Sequence, residues 1–260
     1  MFNAVVLTFT AGVLGTLLGG IVGLKFDPKS TKSFSLLLSF SAGMMIAMVC
    51  FDLMPHALHH SGLLVTIFGV LLGFFLLILF DGKFHHHHED EGAEIDDLHH
   101  HHLAIEKADS HKWVELGAMM IFSVALHNFP EGMAIGSSSI YDLNTGLMMA
   151  FLLALHNLPE GMGMIVPLRS GGISKGKSLL LVALSGISTL VGGIVGALVG
   201  SIGMGVIGFT LALAAGCMLY VVYYEVLPQV GLMNKTRHPV IYQVLGFMIG
   251  FIIISLTHTH

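Results

Sequence analysis

Apolar residues in this chain fall into long runs separated by short polar stretches. A run of about 20 predominantly apolar residues, wound as a helix, spans the hydrocarbon core of a bilayer. Such runs can be drawn at 3–24, 33–54, 62–82, 113–138, 144–168, 177–200, 205–228 and 239–257. The pattern predicts an all-α integral membrane protein with eight transmembrane helices, forming one domain over 1–260 with a polar loop at 83–112. The lipid bilayer is its expected surrounding.

Composition agrees. The chain is 54% hydrophobic and 10% charged, with a mean hydropathy of +0.83, which excludes an ordinary soluble domain. No nucleic-acid partner is expected. Its 32 glycines, including the pairs Gly19-Gly20 and Gly192-Gly193, suit close helix contacts in lipid. Cys50 and Cys217 both fall inside predicted helices, so they do not read as a disulfide framework. The first apolar run has no Lys or Arg ahead of it, so it is read as a retained helix rather than a cleaved signal.

Short cytoplasmic loops collect Lys and Arg. All eleven such residues sit on one side of the predicted topology: Lys25, Lys29 and Lys32; Lys83, Lys107 and Lys112; Arg169, Lys175 and Lys177; Lys235 and Arg237. Eight crossings put the two termini on the same side, and by this rule that side is the outside.

Two self-similarities underlie the pattern. ALHNFPEGM at 125–133 returns 29 residues later as ALHNLPEGM at 154–162, identical at eight of nine positions. Over an offset of 173 residues, TLLGGIVG at 16–23 matches TLVGGIVG at 189–196, AGMMIAMVCFDLMP at 42–55 matches AGCMLYVVYYEVLP at 215–228, and LGF at 72–74 matches LGF at 245–247. An odd number of crossings separates each pair of copies, so the copies are inverted, in a 3+2+3 arrangement. Inverted repeats with polar groups near the midplane are the mark of alternating-access carriers. Transport is the expected function, and no enzymatic activity is expected.

On a helix His127 and Glu131 share a face, with Asn128 about 100° round, and His156, Asn157 and Glu160 repeat the geometry. Pro130 and Pro159 remove backbone donors and predict kinks beside these groups. Imidazole, carboxylate and amide donors suit zinc, and also iron(II), manganese(II), cobalt(II) or nickel(II). The sixteen methionines are given a packing role. Asp52 and Glu225 occupy equivalent positions in the long repeat, each three residues before a proline. A divalent cation would supply the counter-charge that buried carboxylates need. A proton relay, or hydrogen bonds that hold helices together, are the other readings of such groups.

Paired HN-x-P-E-G segments in the fourth and fifth of eight helices, a His-rich loop before them and AG-x8-E-x-x-P in the seventh helix resemble the ZIP (Zrt/Irt-like protein) metal transporters, particularly the bacterial uptake type and the GufA-like branch. The resemblance implies a multi-pass protein of the plasma (cytoplasmic) membrane that moves metal into the cytoplasm. It implies His127, Asn128, Glu131, His156, Asn157 and Glu160 as transport-site ligands, and Glu225 on the path. Zn2+ is the expected substrate rather than a cofactor, with Fe2+, Mn2+, Cd2+ and Co2+ as alternatives. Many members carry a helix-6 glutamate where Thr189 stands here, which points to one bound metal or an altered site. The oligomeric state is open, a homodimer being one reading.

The loop segment HHHHEDEGAEIDDLHHHH at 85–102 offers His85, His86, His87, His88, His99, His100, His101 and His102 as a cytoplasmic metal collector or sensor; a solvated linker is the blander reading. His56, His59 and His60 could gather metal at the outer side. Two further functional readings are a metal-selective channel and an intramembrane metallohydrolase, the latter without an H-E-x-x-H pair to support it.

Overall fold

The computed structural model describes residues 1–25, 31–85 and 110–258, and every regular element in these residues is a helix. The first, α1 (Phe2–Gly23), widens into a π turn at Phe9–Leu14. The second, α2, runs from Thr31 through a π turn at Val49–Leu53 to His85 and is broken at Gly62 into two arms. Gly62 has φ 74° and ψ 171°, a backbone conformation that glycine alone adopts at little cost. Then follow α3 (Ser110–Tyr141), α4 (Leu143–Ser170), α5 (Lys175–Gly200), α6 (Met204–Met233) and α7 (His238–His258). A π turn interrupts α6 at Val221–Val226.

Six described segments are long and apolar enough to cross a membrane: Phe2–Gly23, Ser35–Leu79, Leu143–Ser170, Lys175–Gly200, Met204–Met233 and His238–Leu256. The eight expected runs map onto them with two differences. Ser35–Leu79 holds both the second and third runs, because the helix does not stop before Pro55 but continues to the break at Gly62. The π turn just ahead of Pro55 gives the ring room where a regular turn would clash. The fourth run lies in α3, which is absent from the six because His127, Asn128, Glu131 and Ser137 to Ser139 dilute its apolar character.

Glycine sets the packing. A Cβ at Gly19 of α1 would overlap the carbonyl of Leu158 in α4, and one at Gly192 of α5 would overlap that of Phe129 in α3. Gly43 in the first arm of α2 meets the Gln243 carbonyl of α7, and Gly216 of α6 meets the Val70 carbonyl in the second arm. Backbones at this separation exchange dispersion contacts that larger side chains would prevent, the usual basis of helix association in lipid. The two site helices, α3 and α4, pack on each other and are flanked by α5 and α1. Around them the outward faces expose Leu63, Leu64, Phe68, Leu79, Val240 and Leu256, a surface stable in hydrocarbon and not in water.

Candidate metal site

The two HN-x-P-E-G segments lie in the middle of α3 and α4, and both helices run on past Pro130 and Pro159. The glycine after each glutamate holds a neighbour close: Gly132 faces the Thr189 backbone in α5, and Gly161 the Thr16 backbone in α1. All six polar side chains are buried: His127 2% exposed, Asn128 0%, Glu131 1%, His156 0%, Asn157 0% and Glu160 7%.

The pairing crosses from helix to helix. His127 Nε2 lies 3.2 Å from Glu160 Oε1, and His156 Nε2 lies 3.5 Å from Glu131 Oε1 and 3.8 Å from Glu160 Oε1. Pairing imidazole nitrogen with carboxylate oxygen relieves part of the cost of burying both. Ligand atoms around a tetrahedral zinc with bonds of 2.0–2.1 Å stand about 3.3 Å from one another, so the separations already have the right scale. Among the described residues no three His, Cys, Asp or Glu groups are gathered as a finished metal cage; the donors are engaged in pairs instead.

Several polar atoms here have no hydrogen-bond partner among the described residues. They are both amide atoms of Asn128, Asn157 Oδ1, both oxygens of Glu131, Glu160 Oε2 and the Nδ1 atoms of His127 and His156. Each such group costs about 1–3 kcal/mol when left unsatisfied, and native interiors tolerate few. A cluster of this density has the chemistry of a binding site.

Of the remaining candidates, Thr189 is fully buried beside α3 with its hydroxyl lacking a hydrogen-bond partner among the described residues. Glu225 is half-buried in the π turn of α6, accepts a hydrogen bond from Ser123 of α3 and lies within electrostatic reach of His127. Asp52 is fully buried and pairs with His56 at 3.6 Å rather than with the six. His85 ends α2, and His86, His87, His88, His99, His100, His101 and His102 lie outside the described residues. Two contacts carried no sequence signal. Asn157 Nδ2 donates to the Ala11 carbonyl at 2.9 Å, in the π turn of α1, and Ser123 reaches Glu225.

Comparison with known proteins decides the family. A family model described as ZIP Zinc transporter matches residues 80–258. The chain belongs to the ZIP zinc transporter family. Among curated ZIP relatives, the zinc transporter ZupT of Chlorobium phaeovibrioides is 33% identical over 234 residues, covering 88% of each chain. ZupT of Streptococcus mutans is 30% identical over 261 residues, 96% of this chain and 95% of that one. The zinc transporter GufA of Myxococcus xanthus is 33% identical over 129 residues, 48% of this chain and 51% of that protein. This ZIP member is therefore a multi-pass membrane transporter of metal, not an enzyme.

Proposed function

We propose that the chain carries divalent transition metal, chiefly zinc, into the cytoplasm across the plasma membrane by alternating access. His127, Asn128, Glu131, His156, Asn157 and Glu160 replace the ion's hydration shell. The observation that carries this reading is the reciprocal pairing of His127 with Glu160 and of His156 with Glu131. Each pair is the image of the other under exchange of the two segments, so an ion between them meets nearly the same ligands from either side. The named function of the ZupT and GufA relatives supports zinc.

Packing supports eight crossings in an inverted 3+2+3 arrangement. Under the 173-residue offset, Gly19 against Leu158 in one half corresponds to Gly192 against Phe129 in the other, the two copies of the short repeat being exchanged. Likewise Gly43 against Gln243 corresponds to Gly216 against Val70, and Gly73 against Leu213 to Gly246 against Phe40. The π turns at Val49–Leu53 and Val221–Val226 occupy equivalent positions, each ahead of a proline.

The two ends differ. Asp52 is fully buried whereas its counterpart Glu225 is half-buried. On the Asp52 side, Met48, Leu53, Ile135, Met149 and Leu153 line a cavity of about 10 Å³ beside Glu131, room for no more than one water. A shut apolar layer at one end favours a carrier over an open channel. The His-rich loop lies on the inner side in this reading and receives the ion after transit.

Zinc-65 uptake into liposomes containing the purified protein tests the proposal. Saturable flux down an inward gradient, abolished by Glu131→Ala with Glu160→Ala, is expected. Absence of saturable flux, or flux unchanged in that variant, refutes it.

A further inference from the structure

A second group of metal-binding side chains stands away from the paired histidines and glutamates. The last turns of α2 before Gly62 carry Asp52, His56, His59 and His60. His56 and His60 are four residues apart and share a helical face. Their rings are nearly parallel, 14° between planes, with centroids 6.1 Å apart. Asp52, fully buried, places Oδ1 3.6 Å from His56 Nε2. His60 packs edge-on against Tyr141, the last residue of α3, with centroids 4.9 Å apart, and its Nδ1 is buried without a hydrogen-bond partner among the described residues. The next residue, Asp142, caps α4 and lies within electrostatic reach of His56. The end of one helix arm, the end of α3 and the start of α4 thus bring two imidazoles and two carboxylates to one end of the bundle.

We propose that His56 and His60 form a bidentate capture site for a divalent transition-metal cation at the outer mouth of the path, with Asp52 orienting His56 and Asp142 supplying negative potential. The assignment of this end to the outside rests on the function proposed above. Two histidines at i and i+4 on one helix are a recurrent zinc-chelating arrangement. With Zn–N bonds of 2.0–2.1 Å, two imidazoles on a tetrahedral ion bring their centroids to about 5 Å, so the 6.1 Å separation closes by side-chain rotation alone. A carboxylate behind a ligating imidazole fixes its ring and raises its basicity.

No third His, Cys, Asp or Glu completes a cage here among the described residues. Water therefore fills the rest of the shell, and the ion is held loosely. That suits capture, since an ion enclosed by four protein ligands would not be passed on. Below this pair the route follows one face of α3 beneath Asp142: Ser138, Ile135 and Glu131 recur at spacings of three and four residues. From Glu131 to Tyr141, the end of α3, the helix rises about 15 Å. The Ser138 hydroxyl, buried with no hydrogen-bond partner among the described residues, lies part-way, and Ile135 belongs to the shut apolar layer. An ion at His56 and His60 waits above that layer for it to open.

The test uses sealed proteoliposomes of the full chain carrying Glu131→Ala with Glu160→Ala, which removes flux on the reading above, so that external zinc-65 reports surface binding alone. Adding His56→Gln with His60→Gln is expected to remove one saturable equivalent per outward-facing copy. Unchanged binding overturns the capture site. In the otherwise native chain the same two glutamines are expected to raise the KM for zinc uptake several-fold, and an unaltered KM also overturns it. Flux that persists in the Glu131→Ala with Glu160→Ala protein counts against the central site, while the comparison of KM values still decides this one.

Discussion

Replacing Gly132 by alanine places a methyl group where the Thr189 backbone of α5 now sits, and replacing Gly161 does the same against the Thr16 backbone of α1. The obstructing atoms are backbone, so no side-chain rotation relieves the overlap. The added carbons would stand 2.0 and 2.1 Å from the facing carbonyl oxygens, so to restore an ordinary contact of about 3.5 Å the helices must part by roughly 1.5 Å. Overpacking of this kind costs about 1–3 kcal/mol, set against a gain of about 0.5–1 kcal/mol from alanine's better helix propensity. The function is expected to suffer more than the fold. Glu131 and Glu160 immediately precede these glycines, and metal–ligand distances tolerate only about ±0.2 Å. Zinc affinity is expected to fall by about 10- to 100-fold, the scale on which supporting residues act. On the proposed inverted arrangement the two variants should match in both respects. Gly176→Ala, in the first turn of α5 with no neighbouring element within 4 Å of the added carbon, is the control: zinc affinity should be unchanged, and stability unchanged or raised by up to about 1 kcal/mol. Thermal unfolding in detergent and zinc binding by calorimetry measure the two effects. Near-neutral behaviour at Gly132 and Gly161, or a large effect at one and none at the other, refutes the packing argument.

Zinc binding should stabilise the folded protein by about 2.7 kcal/mol at a free concentration of 100 Kd; thermal unfolding with zinc and with chelator reads this, and the gain should vanish in Glu131→Ala with Glu160→Ala. Thr189→Val removes a buried hydroxyl that has no hydrogen-bond partner among the described residues, so stability should hold or rise; zinc affinity, measured by calorimetry, should fall less than about tenfold because a hydroxyl is a weak ligand. Asp142 accepts hydrogen bonds from the Thr145 hydroxyl at 2.6 Å and backbone at 2.8 Å, which hold its carboxyl below the usual carboxylate range. Its contribution is therefore complete above the ordinary aspartate value of about 3.9 and fades as pH falls through the lower folded value. Asp142→Ala should cost about 1 kcal/mol at neutral pH and flatten that acid limb of an unfolding profile.

The helices were legible in the sequence through their apolar runs and the candidate site through a repeat, because burying His, Asn and Glu in hydrocarbon is costly enough to leave a visible mark. The second apolar run ended at 54, ahead of Pro55, whereas the helix continues past the proline, with a π turn at Val49–Leu53 just before it. Pro130 and Pro159 likewise lie inside α3 and α4, both buried. The cross-pairing of His127 with Glu160 could not be read from spacing, because it depends on how α3 and α4 face each other. Nor could Asn157's bond to the Ala11 carbonyl, 146 residues away, which needs a π turn that no local pattern announces. Asp52 and Glu225 looked equivalent in sequence, yet one pairs with a histidine of its own helix and the other with Ser123 of α3.

The central claim is that a metal ion sits between α3 and α4 on the six donors of the twin segments. An anomalous difference map recorded at the zinc edge from crystals of zinc-loaded protein tests it most directly. The predicted result is a peak within about 2.0–2.2 Å of imidazole nitrogens of His127 or His156 and carboxylate oxygens of Glu131 or Glu160. Loaded crystals with strong zinc peaks elsewhere and none between these four residues would contradict it.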